Sequence, residues 1–258
     1  MRNRSQIEAL VVLGGLLAGC RIVPDSQAPV TPQRPTFSSD TNTVPEGMVE
    51  LEAGVILDPG DLVATPTTLK YGVGPAAEVS VGWSPLNYLS LPGEDEFGIG
   101  DVFLGLRHRF REEGEDRPSL AVQSVVKLPT ADDGDGLGTG ELDAFFAGIA
   151  SKAVGKLSLT GFYQFEILGD PAGGTDIGNS FAFAAGQALG EGIGAFAEVV
   201  FRFVPENDLD QYFTTLGATY AVSPALVLDV AVLLGLDDAP DFQLLVGFTH
   251  NFGRLAAR

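Results

Sequence analysis

Apolar side chains recur at every second position through most of this chain. The clearest run spans 102–110, where Val102, Leu104 and Leu106 alternate with Gly105 and Arg107. A period of two gives an extended strand one apolar and one polar face. The same alternation continues to residue 252, in place of the three-to-four-residue spacing of an amphipathic helix. The pattern predicts an all-β protein.

The alternation divides into twelve predicted strands. Most have eleven or twelve residues, which exceeds the usual strand of a soluble sandwich and suits a tilted membrane-spanning strand. An even number is typical of bacterial single-chain barrels. We therefore predict an antiparallel, up-and-down transmembrane β-barrel over residues 47–252. Its strands are expected at 47–57, 66–73, 76–83, 99–110, 118–128, 141–152, 156–166, 178–189, 192–203, 211–221, 224–235 and 241–252.

The connections between these strands alternate in length. Short ones at 74–75, 153–155, 190–191 and 222–223 contain or adjoin glycine or proline, which form tight turns. The connection at 111–117 is longer. Outer-membrane barrels have short periplasmic turns and longer extracellular loops, so the rhythm places both termini in the periplasm. The predicted outer loops are 58–65, 84–98, 129–140, 167–177, 204–210 and 236–240.

The N-terminus has the layout of an export signal. Arg2 and Arg4 precede an apolar run at 9–19 that is too short to span a bilayer, and Cys20 follows it. Its end resembles the bacterial lipobox, which predicts a lipoprotein-type signal peptide over 1–19 and lipidation of Cys20. An ordinary signal whose cleavage site contains a cysteine is the alternative. A single cysteine cannot form a disulfide framework or a thiolate metal cluster.

Two further segments flank the predicted barrel. Residues 20–46 are rich in Pro, Ser, Thr and Asn, and the prolines interrupt regular structure. We predict a flexible, Pro-rich periplasmic tether there. Residues 253–258 are predicted to be a short C-terminal tail.

Composition and charge narrow the classes of function. The 33 glycines, an aromatic content of 9% and a charged content of 19% fit a β-rich protein with many turns. The net charge is −19, with 34 acidic against 15 basic residues. Nucleic-acid binding needs clustered Lys and Arg and is therefore excluded. Many acids fall in predicted loops, where solvated acidic surfaces are expected.

The polar faces of the strands define candidate lumen residues. Twelve strands leave either a narrow channel or a packed, salt-bridged interior. The inward aromatic residues either line an apolar pathway or fill space; they are Phe103, Phe162, Phe196 and Phe213. The inward charged residues are Glu50, Glu52, Lys70, Glu78, Arg107, Arg109, Lys127, Glu166, Glu198, Arg202 and Asp229.

No constellation in the sequence predicts catalysis. His108 and His250 both fall on the lipid-facing side of their strands, with no serine placed beside them. The acidic run 132–135 with Glu141 fails the EF-hand pattern, although weak divalent binding stays open. We expect no enzyme activity, no cofactor and no dedicated metal site.

The last predicted strand carries a candidate assembly signal. It ends in Gly247, His250 and Phe252, set within alternating residues. This resembles the C-terminal signal recognised by the barrel-assembly machinery, which would then be a partner.

Several segments together resemble a known family. They run from Thr43 to Gly54, from Gly98 to Phe110, from Lys127 to Thr130, and from Gly247 to Phe252. The likeness is to bacterial outer-membrane proteins catalogued as transporters and named for the meta-pathway of phenol degradation. The resemblance implies an outer-membrane barrel that passes small, often aromatic molecules.

The expected function is passive, selective diffusion of small solutes across the bacterial outer membrane. The alternative is a closed structural or adhesive barrel whose acidic loops bind divalent cations or a surface partner. On fold, the main rival is a soluble periplasmic β-sandwich lipoprotein. The expected partners are outer-membrane lipid, lipopolysaccharide and the solute, and the oligomeric state is left open.

Overall fold

The structure, a computed structural model, describes residues 20–60, 62–91, 94–205 and 209–257. The predicted signal peptide, 1–19, lies outside the described residues. Sixteen strands form within the described ranges. They are β1 (Cys20–Val23), β2 (Met48–Asp58), β3 (Leu62–Ala64), β4 (Thr67–Gly74), β5 (Ala77–Trp83), β6 (Asn87–Leu91), β7 (Glu94–Gly98), β8 (Val102–Arg111), β9 (Ser119–Leu128), β10 (Asp143–Val154), β11 (Leu157–Gly169), β12 (Thr175–Gly190), β13 (Ile193–Val204), β14 (Leu209–Ser223), β15 (Leu226–Asp237) and β16 (Phe242–Ala257).

Twelve of the described strands close into one antiparallel barrel. The order is β2, β4, β5 and then β8 to β16, and β16 pairs back onto β2. At this seam Leu244 lies opposite Leu57, and Arg254 lies opposite Met48. The predicted twelve-stranded barrel is confirmed, and each predicted strand overlaps one of these twelve.

Three short strands extend the barrel wall beyond β2. β3 pairs with the end of β2, β6 pairs with β3, and β7 pairs with β6. These strands occupy the regions 58–65 and 84–98, which the sequence predicts as loops. They are shorter than membrane-spanning strands and pair mainly with one another, so they add a small sheet at the rim.

The two ends of the barrel differ. One end, the short-turn end, carries the connections 75–76, 112–118, 155–156, 191–192 and 224–225. The other, the long-loop end, carries 59–66, 84–101, 129–142, 170–174, 205–208 and 238–241. The chain enters β2 and leaves the barrel portion of β16 at the short-turn end.

The barrel is polar inside and apolar outside. Glu50, Glu166 and Glu198 are at most 1% exposed, whereas Leu106 and Phe183 are 49% and 59% exposed. A water-soluble protein shows the opposite distribution, because burial removes apolar surface from water. An apolar outer face over long strands is the arrangement of a barrel surrounded by lipid. Among the described residues, no helix is long and apolar enough to cross a membrane.

The predicted flexible tether is wrong for most of its length. Residues 24–45 are called the lumen segment below. Residues 24–27 are exposed beside Gly253 at the short-turn end. The rest of the segment runs inside the barrel, where Ser38, Thr41 and Val44 are at most 3% exposed. Its preceding residues form β1, which pairs with β16 beside the barrel. The composition indicates a linker because prolines prevent regular structure, but an irregular segment can still be fixed by contacts with surrounding walls.

The predicted C-terminal tail is also wrong where the structure describes it. β16 continues to Ala257, and residues 254–257 pair with β1. Gly253 has a φ of 103°, a left-handed conformation that glycine adopts readily, and the pairing with β2 shifts register here. The strand thus continues past the barrel to hold the N-terminal strand.

Candidate functional site

The inner wall of the barrel holds the charged residues predicted to face the lumen. Each lies on the polar face of its strand because side chains alternate across a strand. Most are buried: Glu50, Glu52, Lys70, Glu78, Arg107, Lys127, Glu166, Glu198 and Asp229. Arg109 and Arg202 are partly exposed. The wall is thus lined with ionisable side chains, and those that are buried require polar partners.

Residues 30–34 run into the barrel from the short-turn end and are the ascending leg of the lumen segment. In this leg, Thr31 and Gln33 donate hydrogen bonds to two carboxylates on β2. The Thr31 N–H and hydroxyl donate to Glu50 at 2.9 and 3.0 Å. The Gln33 N–H donates to Glu52 at 2.7 Å. Lys70 on β4 lies between these carboxylates, 2.6 Å from Glu50 and 2.8 Å from Glu52. Two buried acids therefore share one cation, and backbone N–H groups provide the remaining hydrogen bonds.

Arg34 makes the next contact along the segment. Its Nε lies 3.2 Å from an Asp229 carboxylate oxygen on β15, and its Nη2 donates to the Val246 carbonyl at 3.2 Å. Gly54 and Gly247 make room for this side chain, because a Cβ at either position would overlap the guanidinium group. Glycines on two neighbouring strands therefore form the seat of Arg34.

The tip of the segment reaches the opposite wall. The Phe37 ring packs edge-on against Phe162 and Phe213, with centroid distances of 5.9 and 6.0 Å. The N–H groups of Phe37 and Ser38 donate to Glu198 at 2.8 and 2.9 Å, and the Ser38 hydroxyl also contacts this carboxylate. No Lys or Arg of the described residues forms an ion pair with Glu198, so the segment supplies its polar contacts.

The descending leg returns along β10, β8 and β5. Gln33 and Asp40 join the two legs, since the Asp40 N–H donates to the Gln33 amide oxygen at 2.8 Å. Arg107 donates to the Asn42 carbonyl at 3.0 Å, and the Val44 N–H donates to Glu78 at 2.7 Å. The lumen segment is thus a folded hairpin-like loop that touches the wall around much of its circumference.

Two charge clusters lie nearer the long-loop end. Glu166 accepts hydrogen bonds from Arg202 at 2.9 Å and from Ser180 at 2.5 Å. Lys127 lies 2.6 Å from Asp143 and 3.6 Å from Asp101. These clusters join neighbouring strands to one another rather than to the lumen segment.

Cavities remain on both sides of the lumen segment. A cavity of about 530 Å³ opens at the short-turn end and is bordered by Gln33, Arg34 and Phe196. One of about 340 Å³ opens at the long-loop end and is bordered by Phe37, Arg202 and Phe213. A smaller one of about 190 Å³ lies beside the segment along β4, β5 and β8. The tip of the segment therefore separates two larger spaces along the barrel axis.

The four predicted aromatic residues have different surroundings. Phe162 and Phe213 are buried and clamp Phe37. Phe196 borders the cavity at the short-turn end. Phe103 is 37% exposed and borders a space near the long-loop rim. The structure brings two of the four together, around a third aromatic residue that the sequence analysis missed.

His108, His250 and Phe252 lie away from the lumen centre, whereas Gly247 faces the lumen. His108 is exposed and His250 packs edge-on against Phe252, and each imidazole contacts a backbone carbonyl. Gly247 does not share their face: it is on the lumen side beneath Arg34. Positions 250 and 252 are an odd number of residues from 247, so they face the other side of the strand. Recognition of Gly247, His250 and Phe252 by the assembly machinery stays a prediction.

The acidic loop 129–142 and Cys20 are the last two candidate sites. Backbone N–H groups of the loop after β9 donate to Asp132, within that loop, and to Asp101, which immediately precedes β8. No three His, Cys, Asp or Glu side chains in the described ranges are grouped so as to hold a metal ion. Cys20 begins β1, opposite Ala257 at the short-turn end.

The period-two pattern does not predict the partners of the wall side chains, which are Thr31, Gln33, Arg34, Phe37 and Ser38. A signal for them was present, because more inward acids than inward bases require further donors. Glycines at inward positions 54 and 247 also mark places where another part of the chain approaches.

The closed barrel, its apolar outer face and its polar lumen define an outer-membrane β-barrel. Residues 33–252 match the family described as "Putative MetA-pathway of phenol degradation", and the chain belongs to this family. The match begins inside the lumen segment and ends at Phe252. No curated protein matches the chain.

Solved structures share the fold. An outer membrane channel from Pseudomonas putida F1 superposes with a TM-score of 0.60 at 13% identity, covering 84% of this chain and 100% of that chain. The KdgM porin gives 0.56 at 7% identity, covering 78% and 98%. The NanC porin gives 0.55 at 9% identity, with the same coverage. These likenesses show the fold alone.

Proposed function

We propose that this protein is an outer-membrane channel for the passive diffusion of small solutes. The observation that carries the proposal is the pair of cavities, about 530 and 340 Å³, that reach the tip of the lumen segment from opposite ends. A barrel serving purely as a scaffold would have no need for hollow ends. The channel and porin names of the structures with the same fold support the same interpretation.

Small aromatic compounds are the proposed solute class. The cavity at the long-loop end combines the rings of Phe37, Phe145 and Phe213 with the polar groups of Arg202 and Gln164. Aromatic faces bind an apolar ring, and a guanidinium group binds an anionic or phenolic oxygen. The name of the family, with its reference to phenol degradation, supports this choice.

The short-turn end is proposed to face the periplasm. Short periplasmic turns and long extracellular loops are the rule for outer-membrane barrels. Both chain ends would then be periplasmic, and Cys20 would lie where an attached lipid could enter the inner leaflet. A tag inserted in 129–142 should be accessible on intact cells, whereas one in 112–118 should not. The opposite labelling would reverse the orientation.

Liposome swelling tests the channel. Purified protein should let phenol and benzylamine, an aromatic cation, equilibrate faster than a disaccharide, and a deletion strain should take up these aromatic compounds more slowly. Equal rates for protein-containing and empty liposomes, together with unchanged uptake, would contradict the proposal.

A closed structural barrel is the second candidate. The lumen segment favours it, because this segment fills the barrel centre and satisfies the wall carboxylates. Such a protein would give no solute flux even after the segment is removed, and its loss would alter surface integrity rather than uptake.

A further inference from the structure

We propose that the lumen segment is a displaceable plug whose withdrawal toward the short-turn end opens a cation-preferring pore. This inference rests on the proposed channel function and concerns its regulation. The structure described here is then the closed form.

The contacts between the lumen segment and the barrel wall support the proposal that the segment can leave the lumen. Its residues 24–45 add no strand to the barrel, and the twelve-stranded wall closes without them. Most of the contacts are hydrogen bonds between backbone or hydroxyl groups of the segment and polar side chains of the wall. The others include one ion pair, of Arg34, and the ring contacts of Phe37. Contacts of this kind can be exchanged for water in an open lumen, whereas strand pairing in lipid cannot.

The ends of the segment set the direction of movement. Val23 and Met48 both pair with Arg254 of β16, through β1 and β2 respectively. Neighbouring strands lie about 4.8 Å apart, so these anchor points are about 10 Å from each other if they lie on opposite sides of β16. Both are at the short-turn end, where the larger cavity also lies. A loop fixed in this way can retract toward that end without leaving the protein.

Withdrawal would uncover an acidic wall. The segment covers Glu50, Glu52, Glu78, Glu198 and Asp229, and the cations Lys70 and Arg107 remain beside them. Carboxylates then outnumber cations at this level of the lumen. Rings of carboxylates favour cations in a narrow pore, so the opened barrel should prefer cations.

The decisive experiment replaces residues 24–45 by six Gly-Ser residues in the full-length chain. Such a linker reaches about 20 Å when extended and spans the anchors without filling the lumen. Planar-bilayer recordings in KCl should show a conductance at least about tenfold above that of the unaltered protein, because the obstruction is gone. The reversal potential in a KCl gradient should indicate cation preference.

Outcomes of this experiment separate the two proposals. If the unaltered protein conducts as well as the shortened one, the plug is refuted and the channel stands. If the shortened protein is heat-modifiable on gels, and so folded, but does not conduct, the channel proposal itself fails. Anion preference in the shortened protein would refute the acidic pore.

If the shortened chain does not fold, single substitutions in the full-length chain can still test whether the lumen segment closes the pore. Phe37→Ala removes the ring held by Phe162 and Phe213 and should raise the open probability about tenfold or more. Phe183→Ala is the matched control, because Phe183 is 59% exposed on the outer face. Equal open probability in the two variants would overturn the plug.

A reversible cross-link gives an independent test in the same background. The Thr41 N–H lies 3.3 Å from the Ser151 hydroxyl, so Thr41→Cys with Ser151→Cys should form a disulfide when Cys20 is replaced by Ala. Oxidation should suppress the openings produced by Phe37→Ala, and a reductant should restore them. Each single-cysteine variant serves as a control. Openings that persist after complete cross-linking would refute withdrawal of the segment.

Discussion

At the residue scale, the buried charges on the wall depend on a few shared partners. Lys70 serves both Glu50 and Glu52, and all three are at most 7% exposed. Removing one charged side chain from this group leaves the remaining charges without an ion-pair partner in a buried site. The period-two pattern predicts that these side chains face inward, but spacing along a strand does not show which ions pair.

Lys70→Met should therefore destabilise the folded barrel by about 3 to 5 kcal/mol. The measurement is the temperature at which heat-modifiable migration is lost, supported by urea unfolding in detergent. Lys156→Met is the matched control, since Lys156 is exposed in the turn 155–156 and its loss should have little effect. Equal stability of the two variants would show that the buried cluster is not strongly coupled.

Gly247 allows a second prediction at this scale. Gly247→Ala places a methyl group against the Arg34 guanidinium and against the Ala53 carbonyl of β2. Since the backbone can move less than the side chain, Arg34 should be displaced and its pair with Asp229 should break, at a cost of about 3 kcal/mol. Gly148→Ala is the control because a methyl group added at Gly148 would have no neighbouring atom within 4 Å. Limited proteolysis should cut the lumen segment faster in the Gly247 variant alone. Unchanged cleavage would mean that Arg34 adapts without leaving its seat.

At the element scale, the barrel strands could be predicted from sequence and the irregular parts could not. Twelve strands were predictable because alternation is imposed by two different environments, lipid outside and polar lumen inside. β3, β6 and β7 were missed because they are short and pair with one another at the rim. The lumen segment was missed because its partners are distant: Arg34 contacts Asp229, 195 positions away.

The turn 112–118 shows how a longer connection can be ordered at the short-turn end. Lys152 on β10 donates to the Glu113 carboxylate at 3.0 Å and to the Gly114 and Glu115 carbonyls at 2.6 and 2.9 Å. The hydrogen bond from Lys152, followed by one from the Ala153 N–H, lowers the pKa of the Glu113 carboxyl below its ordinary 4.5. Lys152 therefore orders the turn 112–118, whose length alone would predict a flexible connection.

Order in this turn should depend on pH. A lowered carboxyl pKa contributes stability that is present above the ordinary value of 4.5 and is lost as the pH falls through the lowered value. Hydrogen exchange of residues 112–118, corrected for its intrinsic pH dependence, should thus lose protection as the pH falls from 4.5 through the lowered pKa of Glu113. In Glu113→Gln the protection should be smaller and nearly independent of pH. A pH response in that variant equal to the unaltered protein would exclude Glu113 as the cause.

At the scale of the whole molecule, closure of the barrel does not involve the predicted lipidation site. The wall closes through β2 and β16, and Cys20 stands outside it at the start of β1. We expect Cys20→Ser to abolish labelling by a radioactive fatty acid while leaving heat-modifiable migration and outer-membrane fractionation intact. Labelling that persists in this variant, or processing that is unchanged, would contradict lipidation of Cys20.

The distance along the chain between the lumen segment and its walls has a consequence for the order of assembly. Phe37 and Ser38 bind Glu198, 161 and 160 positions later, so their seat does not exist until β13 has been made and placed. Contacts between such distant residues carry a high loop-closure cost and form late. Residues 24–45 precede every barrel strand in the chain but are thus among the last to find their place, and they enter the barrel from the short-turn end, where both of their attachments to β16 lie.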